Sequence, residues 1–220
     1  MAETVSFLGD LRNKWKQYGV LRLGVRIWKA LLRRMGIRIE KFLVMKKELS
    51  GPETPNPPKI DIEVQELTEA HIEHLRGMGF GPDKINVFRK RLADPEYVGI
   101  GAFHNDKLVY SCWLSLEKFE SSVDLGDSVD LQPEEGILID AYTHPDYRGM
   151  GLHTYMNTVR QNRLYELDKK TVVGLLQYEN IPARKSQMKV GLKPDSIIYY
   201  RNIFGKKIVT EKSLKGRELA

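Results

Sequence analysis

Beyond residue 58 the period of the apolar positions changes repeatedly, and each change marks an element. Residues 59–66 alternate apolar and polar side chains as a half-buried strand does. Residues 68–78 and 83–93 repeat their apolar positions at helical spacing, with Gly79-Phe80-Gly81-Pro82 breaking the two apart. Residues 97–103 and 108–116 are β-rich runs joined by His104-Asn105-Asp106-Lys107, a hairpin signal. Residues 136–143 predict another strand, followed by a glycine-containing turn and a helix from about 151 to 167. A short buried strand at 171–177, a short helix at 182–190 and a last hairpin, 196–204 with 206–210 around Gly205, complete the series. The order β-α-α-β-β-β-α-β-α-β-β predicts a mixed α/β domain.

The first fifty residues obey a different pattern. Leu21, Val25, Trp28, Leu32 and Met35 fall at helical spacing, and Arg22, Arg26, Lys29 and Arg33 form a second stripe. This predicts an amphipathic helix over 20–35 with one apolar and one cationic face. A shorter helix is expected over 6–18 and a further stretch over 37–49. Residues 50–58 hold four of the ten prolines, cannot continue a helix and read as a stiff linker. The expected organisation is a basic helical extension at 1–50, a linker at 51–58, the mixed α/β domain at 59–212 and a short tail at 213–220.

Charge sharpens that division. Residues 1–50 carry twelve Lys and Arg against four Asp and Glu, whereas the remaining 170 carry 23 against 25. The whole basic excess therefore sits in the extension. The helix with Trp28 suits an anionic membrane surface, an acidic acyl carrier protein or a cap on the domain. Nucleic acid is not expected, because no base-stacking platform or reader motif accompanies the charge. Residues 117–135 carry seven acidic groups against Lys118. They read as a solvated loop, a recruiter of cationic amines or a dock for the basic helices. No apolar run approaches the roughly 20 residues that span a bilayer, and no secretory leader is visible. The one cysteine, Cys112, makes no internal disulfide and reads as strand packing. No Cys/His cluster has metal-ligand spacing, so no metal is expected.

The window with most chemistry is Thr143-His144-Pro145-Asp146-Tyr147-Arg148-Gly149-Met150-Gly151-Leu152-His153. A strand ends, a turn with two glycines comes next, and a helix begins. Free amides at a helix start, with Arg148 beside them, suit a phosphate or pyrophosphate. Further on, Asn180-Ile181-Pro182-Ala183 opens a helix that ends at Gly191-Leu192. Together these windows resemble the GNAT superfamily of acyl-CoA N-acyltransferases. Its signature is Arg/Gln-x-x-Gly-x-Gly/Ala after the fourth strand, with Asn-x-x-Ala and Gly-Phe downstream. The resemblance covers roughly residues 59–210 and implies a GNAT-like fold.

It also implies a division of labour. The backbone of Ala141, Tyr142 and Thr143 would pair with the pantetheine arm of acetyl-CoA or another acyl-CoA. The amides of Arg148, Gly149, Met150, Gly151, Leu152 and His153 would hold the pyrophosphate. Asn180 would contact the cofactor or fix the next helix. Three positions depart from the pattern. His153 replaces a small residue, Gln187 replaces the Tyr that often protonates the leaving thiolate, and Leu192 replaces Phe. Water or Ser186 would then supply that proton, or the thiolate would leave unaided. For the general base, the resemblance points to a carboxylate on the fourth strand. Asp140 lies there among apolar residues, where burial would raise its pKa; it is equally a structural hydrogen-bonder. Glu134 and Glu135 are its rivals.

The resulting expectation is an acyl-CoA-dependent N-acetyltransferase or related acyltransferase acting on a primary amine by direct attack. A saccharide- or lipid-linked amine is within scope, as is a cytoplasmic location with peripheral attachment to the inner membrane face. Two alternatives stay open: a carrier-protein- or aminoacyl-dependent transferase of the same fold, and a non-catalytic acyl-CoA-binding module.

Overall fold

The computed structural model describes residues 28–121, 123, 125 and 131–214. The helix expected over 6–18, the start of the 20–35 helix, much of the acidic stretch and residues 215–220 lie outside the described residues. The strands are β1 (Ile37–Glu48), β2 (Glu63–Glu66), β3 (Tyr97–His104), β4 (Lys107–Ser115), β5 (Glu135–Thr143), β6 (Thr171–Gln177), β7 (Lys193–Ile203) and β8 (Lys206–Ser213). The helices are α1 (28–34), α2 (Ile72–Gly77), α3 (Pro82–Leu92), α4 (Leu152–Glu166) and α5 (Ile181–Lys189). The strands join in one mixed sheet of order β2-β3-β4-β5-β6-β1-β7-β8.

The described residues divide into two compact bodies, residues 28–41 with 199–210 and the described residues of 42–198 with 211–214. In the first body, the cationic face of α1 has a definite partner. Lys29 and Arg33 both reach Glu40, a buried carboxylate of β1, and Arg38 joins them. The amide of Phe204 donates to Gly36 O at 3.0 Å, tying the β7–β8 turn to the residue between α1 and β1.

The stretch 37–49 is not a helix or a continuation of the extension. It is a twelve-residue strand, and its central run Phe42-Leu43-Val44-Met45 is buried. Residues 42–48 pair antiparallel with β6, from Phe42↔Gln177 to Glu48↔Thr171. A strand covered on both faces has no polar alternation, so a bare apolar run is what its position requires. The proline-rich segment after it is no free tether. Glu53 N donates to Asn162 Oδ1 at 2.8 Å, Asn162 Nδ2 returns a bond to Glu53 O, and Lys47 pairs with Glu53 at 2.6 Å. At its far end Lys59 N donates to Met150 O at 2.9 Å. The segment is a strap bonded along α4.

Helices cover both faces of the sheet in the second body. Neighbouring positions of β4 point to opposite sides. Trp113 stacks on Phe88 of α3 with 5.1 Å between ring centroids, while Tyr110 meets His153 of α4. The α2–α3 side holds an apolar cluster that includes Leu67, Ile72, Leu75, Ile85, Phe88, Leu108 and Trp113. Each of these side chains contributes about 1.5–3 kcal/mol on burial. On the other side α4 lies so close to β5 that a Cβ on Gly136 would run into Leu164 Cδ2.

Strand β5 departs from regular geometry at both of its edges. Ile139 faces Trp113 and Tyr142 faces Ser111, so Asp140 and Ala141 together oppose Cys112 in a β-bulge. Asp140 has φ +44°, a left-handed conformation that Asp tolerates better than most residues. On its other edge β5 pairs parallel with β6 only from Glu135↔Thr171 to Leu138↔Gly174. From Ile139 onward the two strands part, while β6 continues alongside β1 to Gln177.

Candidate active site

A cavity of about 520 Å³ opens where β5 and β6 separate. Leu138, Ile139, Asp140 and Ala141 of β5 form one wall, and Leu175, Leu176 and Gln177 of β6 form another. Lys84 and Arg91 of α3 and Glu120 with Ser121 close it on one face. His153 and Arg160 of α4 and Ala183 with Gln187 of α5 close it on the other. The parting of the strands thus makes a passage through the sheet, lined from both sides.

Asp140 is the centre of the α3 side. Lys84 Nζ and Arg91 Nη1 each donate to its Oδ2 at 2.6 Å. Arg91 Nη2 also donates to Glu120, while its guanidinium lies 5.5 Å from the Trp113 ring centroid and 5.6 Å from that of Tyr97. Burial pushes the Asp140 carboxyl up. The hydrogen bonds and charges of Lys84 and Arg91 outweigh burial and leave it below the usual carboxylate range. The expectation that burial raises this pKa is therefore reversed, because α3 delivers two cations to the bulge. An Asp held ionised in this way is a weak proton acceptor at neutral pH.

The α4 side is built differently. His153 Nδ1 lies 2.9 Å from the Tyr110 hydroxyl. Burial, with the charge of Arg160 beside it, pushes the imidazole pKa down to about 4, so the ring is neutral near pH 7. Burial raises the Tyr110 phenol well above its ordinary value, and that hydroxyl stays protonated and available to donate. The Cys112 thiol is fully buried, pushed up to about 11, and within 3.4 Å of Ile100 O. A thiol so placed is a packing group rather than a nucleophile.

Above the cavity, the turn into α4 runs through Gly149 at φ +79° and Gly151 at φ +84°. Those values are strained for any residue with a Cβ. A Cβ on Gly149 would meet nothing within 4 Å, whereas one on Gly151 would stand 3.5 Å from Pro58 Cα. No side chain caps α4, which leaves its first amides to water or an anion. Arg148 Nε lies 3.4 Å from Thr143 O, and its guanidinium is 5.9 Å from the Tyr142 ring centroid. The Tyr142 ring packs on Phe80, so only the backbone of this residue faces the parted edge.

The structure brings some expected site residues together and separates others. Asp140, Ala141 and His153 line the cavity, with Arg148 to Leu152 at the turn beside His153. Glu135 does not line it. Its carboxylate is bound to Lys46 and to the Gln132 amide at the start of β5, where it holds strand β1 to β5's loop rather than facing a substrate. Ser186 also lies outside the lining, one residue from Gln187 on α5. Asn180 caps α5, its side chain accepting from Ala183 N at 3.3 Å. Lys84, Arg91 and Arg160 line the cavity and Tyr110 backs His153, and sequence reasoning missed all four, whereas Glu120 belongs to the acidic stretch read as a possible recruiter of cationic amines. Only Arg160 left a trace, since His153, Asn157 and Arg160 fall at helical spacing on the buried face of α4, where apolar residues are expected.

Among the described residues no group of three His, Cys, Asp or Glu side chains is placed to hold a metal ion. None of the described helices is long and apolar enough to cross a membrane.

No protein-family model matches the sequence, and no curated protein matches it. Solved structures do. A Drosophila protein is 12% identical with a TM-score of 0.55, over 84% of this chain and 59% of its own. A GCN5-related N-acetyltransferase from Sphaerobacter thermophilus is 15% identical with a TM-score of 0.52, over 86% of this chain and 56% of its own. A functionally unknown conserved protein from Staphylococcus epidermidis is 11% identical with a TM-score of 0.50, over 78% of this chain and 66% of its own. The chain thus spans less than three fifths of the length of the first two. At such identities the likeness is one of architecture, and it is plain: the chain carries the fold of the GCN5-related N-acetyltransferases.

Proposed function

We propose that this chain transfers an acyl group from an acyl-CoA thioester to a primary amine by direct attack. The observation that carries the reading is the parting of β5 from β6 beside a cavity lined from both faces of the sheet. The unpaired edge of β5 from Ile139 to Thr143 offers backbone groups to an extended pantetheine arm, as an added strand takes them up. The turn from Arg148 to His153 suits the pyrophosphate, because Gly149 is open on its outer side and α4 has uncapped amides. The thioester would then lie in the cavity, and the amine would reach it from the side of Lys84, Arg91 and Glu120.

In this reading the amine nitrogen bonds to the thioester carbon, the C–S bond breaks with its electron pair on sulfur, CoA departs as the thiolate, and the amine proton leaves to solvent. Asp140 orders Lys84 and Arg91 rather than serving as a base of neutral pKa, and Ser186 supplies no proton. His153, held against the Tyr110 hydroxyl behind it, and buried Gln187 provide polar groups on the opposite wall. Calorimetric titration with acetyl-CoA and a long-chain acyl-CoA tests the proposal. Micromolar binding supports it, and the preferred chain length fixes the acyl class. Absence of heat with both would overturn the acyl-CoA reading in favour of an acyl-carrier or aminoacyl donor.

The first body supports a second element, attachment to an anionic membrane surface. Trp28 is 62% exposed, Met35 62% and Phe204 76%, and exposed Arg34, Arg201 and Lys206 belong to the same body. Apolar side chains among cations suit the headgroup boundary. Co-sedimentation with anionic vesicles at low salt checks this, and a full-length chain that stays in the supernatant excludes it.

A further inference from the structure

Two arginines line the cavity and are almost fully buried, but their surroundings are opposite. Arg91 meets two carboxylates, Asp140 and Glu120. Arg160 is 1% exposed and, among the described residues, no carboxylate pairs with it. Its Nη2 donates to Asn157 Oδ1, and its Nε has no acceptor. Asn157 Nδ2, on the same face of α4, is likewise buried without an acceptor. The remaining neighbours add no negative charge. His153 is neutral, and the Tyr110 hydroxyl and Cys112 thiol are both held protonated.

An uncompensated guanidinium inside a fold costs several kcal/mol relative to water. A trapped water can accept from Nε, but it does not neutralise the charge. What the pocket lacks, among the described residues, is an anion for Arg160 with acceptor atoms in a plane, which is the shape a guanidinium fork binds best. The cavity that Arg160 lines is also walled by Leu138, Leu175 and Leu176, so the anion belongs on a compact, partly apolar molecule. In the proposed reading the phosphates of a CoA take the turn into α4, where Arg148 to Leu152 stand outside this lining.

We propose that Arg160 anchors a carboxylate borne by one of the two reaction partners: the far end of a dicarboxylic acyl group, or the α-carboxylate of an amino-acid acceptor. Gln187, whose buried Oε1 has no donor, offers an acceptor in the same cavity for an N–H of that molecule. This inference rests on the acyl-transfer reading and narrows its substrate class.

Two paired comparisons on the full-length chain test it. Calorimetry with CoA, acetyl-CoA and succinyl-CoA asks about the acyl side. Thiol release with L-amino acids against their amides asks about the acceptor side. The expected result is a preference for the carboxylate in one pair of about tenfold or more, collapsing towards unity in Arg160→Gln and only partly restored in Arg160→Lys. No preference in either pair, with CoA still bound, overturns the inference and leaves acyl transfer standing. The wild-type comparison alone decides this, even if Arg160→Gln fails to fold. If neither CoA nor its thioesters bind, the acyl-CoA reading fails instead. The site is then read with free succinate and glycine by thermal melting: a rise that disappears in Arg160→Lys upholds it, and no rise overturns it.

Discussion

Tyr110 and His153 meet between β4 and α4, the phenol oxygen 2.9 Å from the imidazole Nδ1, beside the charge of Arg160. Burial at this contact keeps the imidazole neutral over most of the acid range and gives the fold a pH dependence of its own. A histidine at its ordinary pKa of 6.5 binds a proton when unfolded, but here it does so only near pH 4. Between those values the unfolded chain holds more protons, so stability rises with pH across the window and is lost as pH falls from 6.5 towards 4. The span corresponds to roughly 3 kcal/mol. Urea melts at pH 7, 5.5 and 4.5 are expected to track this slope, and His153→Gln to flatten it.

Asp140 predicts a different profile for the proposed acyl transfer. Because Lys84 and Arg91 hold it ionised, protonation of this carboxylate falls below the usual carboxylate range and leaves no inflection in the neutral range. The kcat/KM profile is expected to rise with deprotonation of the acceptor amine alone. Asp140→Asn should lower the rate without moving the profile. A neutral-range inflection that disappears in Asp140→Asn would restore the role of general base.

Arg91 carries more of the fold than its ionic partners do. It lies over Phe88, Tyr97 and Trp113 while bonding Asp140 and Glu120. Arg91→Ala removes packing and leaves partly buried carboxylates behind, an expected loss of about 2–4 kcal/mol. Asp140→Asn should cost less, because Arg91 retains Glu120. Denaturant midpoints of the two variants compare them directly.

Gly149 and Gly136 separate binding from folding. At Gly149 a Cβ meets open space but the backbone sits at φ +79°, so Gly149→Ala should cost about 1 kcal/mol of stability while weakening acyl-CoA binding. At Gly136 the added Cβ drives into Leu164, and Gly136→Ala should cost about 1–3 kcal/mol. Melting and acetyl-CoA titration of the two variants test the contrast.

The hairpin and strands from 97 to 143 were legible because β-branched runs and turn residues delimit them. The turn into α4 was legible because two glycines and an arginine come after a strand. Strand β1 was not, since Phe42-Leu43-Val44-Met45 between charged residues gives neither alternation nor helical spacing. In the site, Asp140 stood out as the lone carboxylate of an apolar strand. The cations that reverse its pKa come from α3, and no local pattern announces a meeting between elements so distant in the chain. Arg160 shares helical spacing with His153 and Asn157, but that spacing alone does not say that the face is buried against the sheet.

The pairing of β1 with β6 also dictates an order of assembly. Residues 42–48 are hydrogen-bonded to residues 171–177, whereas β3 and β4 are joined by a tight hairpin. During synthesis the run from Phe42 to Met45 emerges early and waits for its partner while the hairpins behind it can already close. That delay exposes a strand-forming apolar segment to other nascent chains, a hazard set by topology rather than by final stability. Rearranging the gene so that β1 comes after β6 would shorten the wait and is expected to speed refolding without altering the finished sheet.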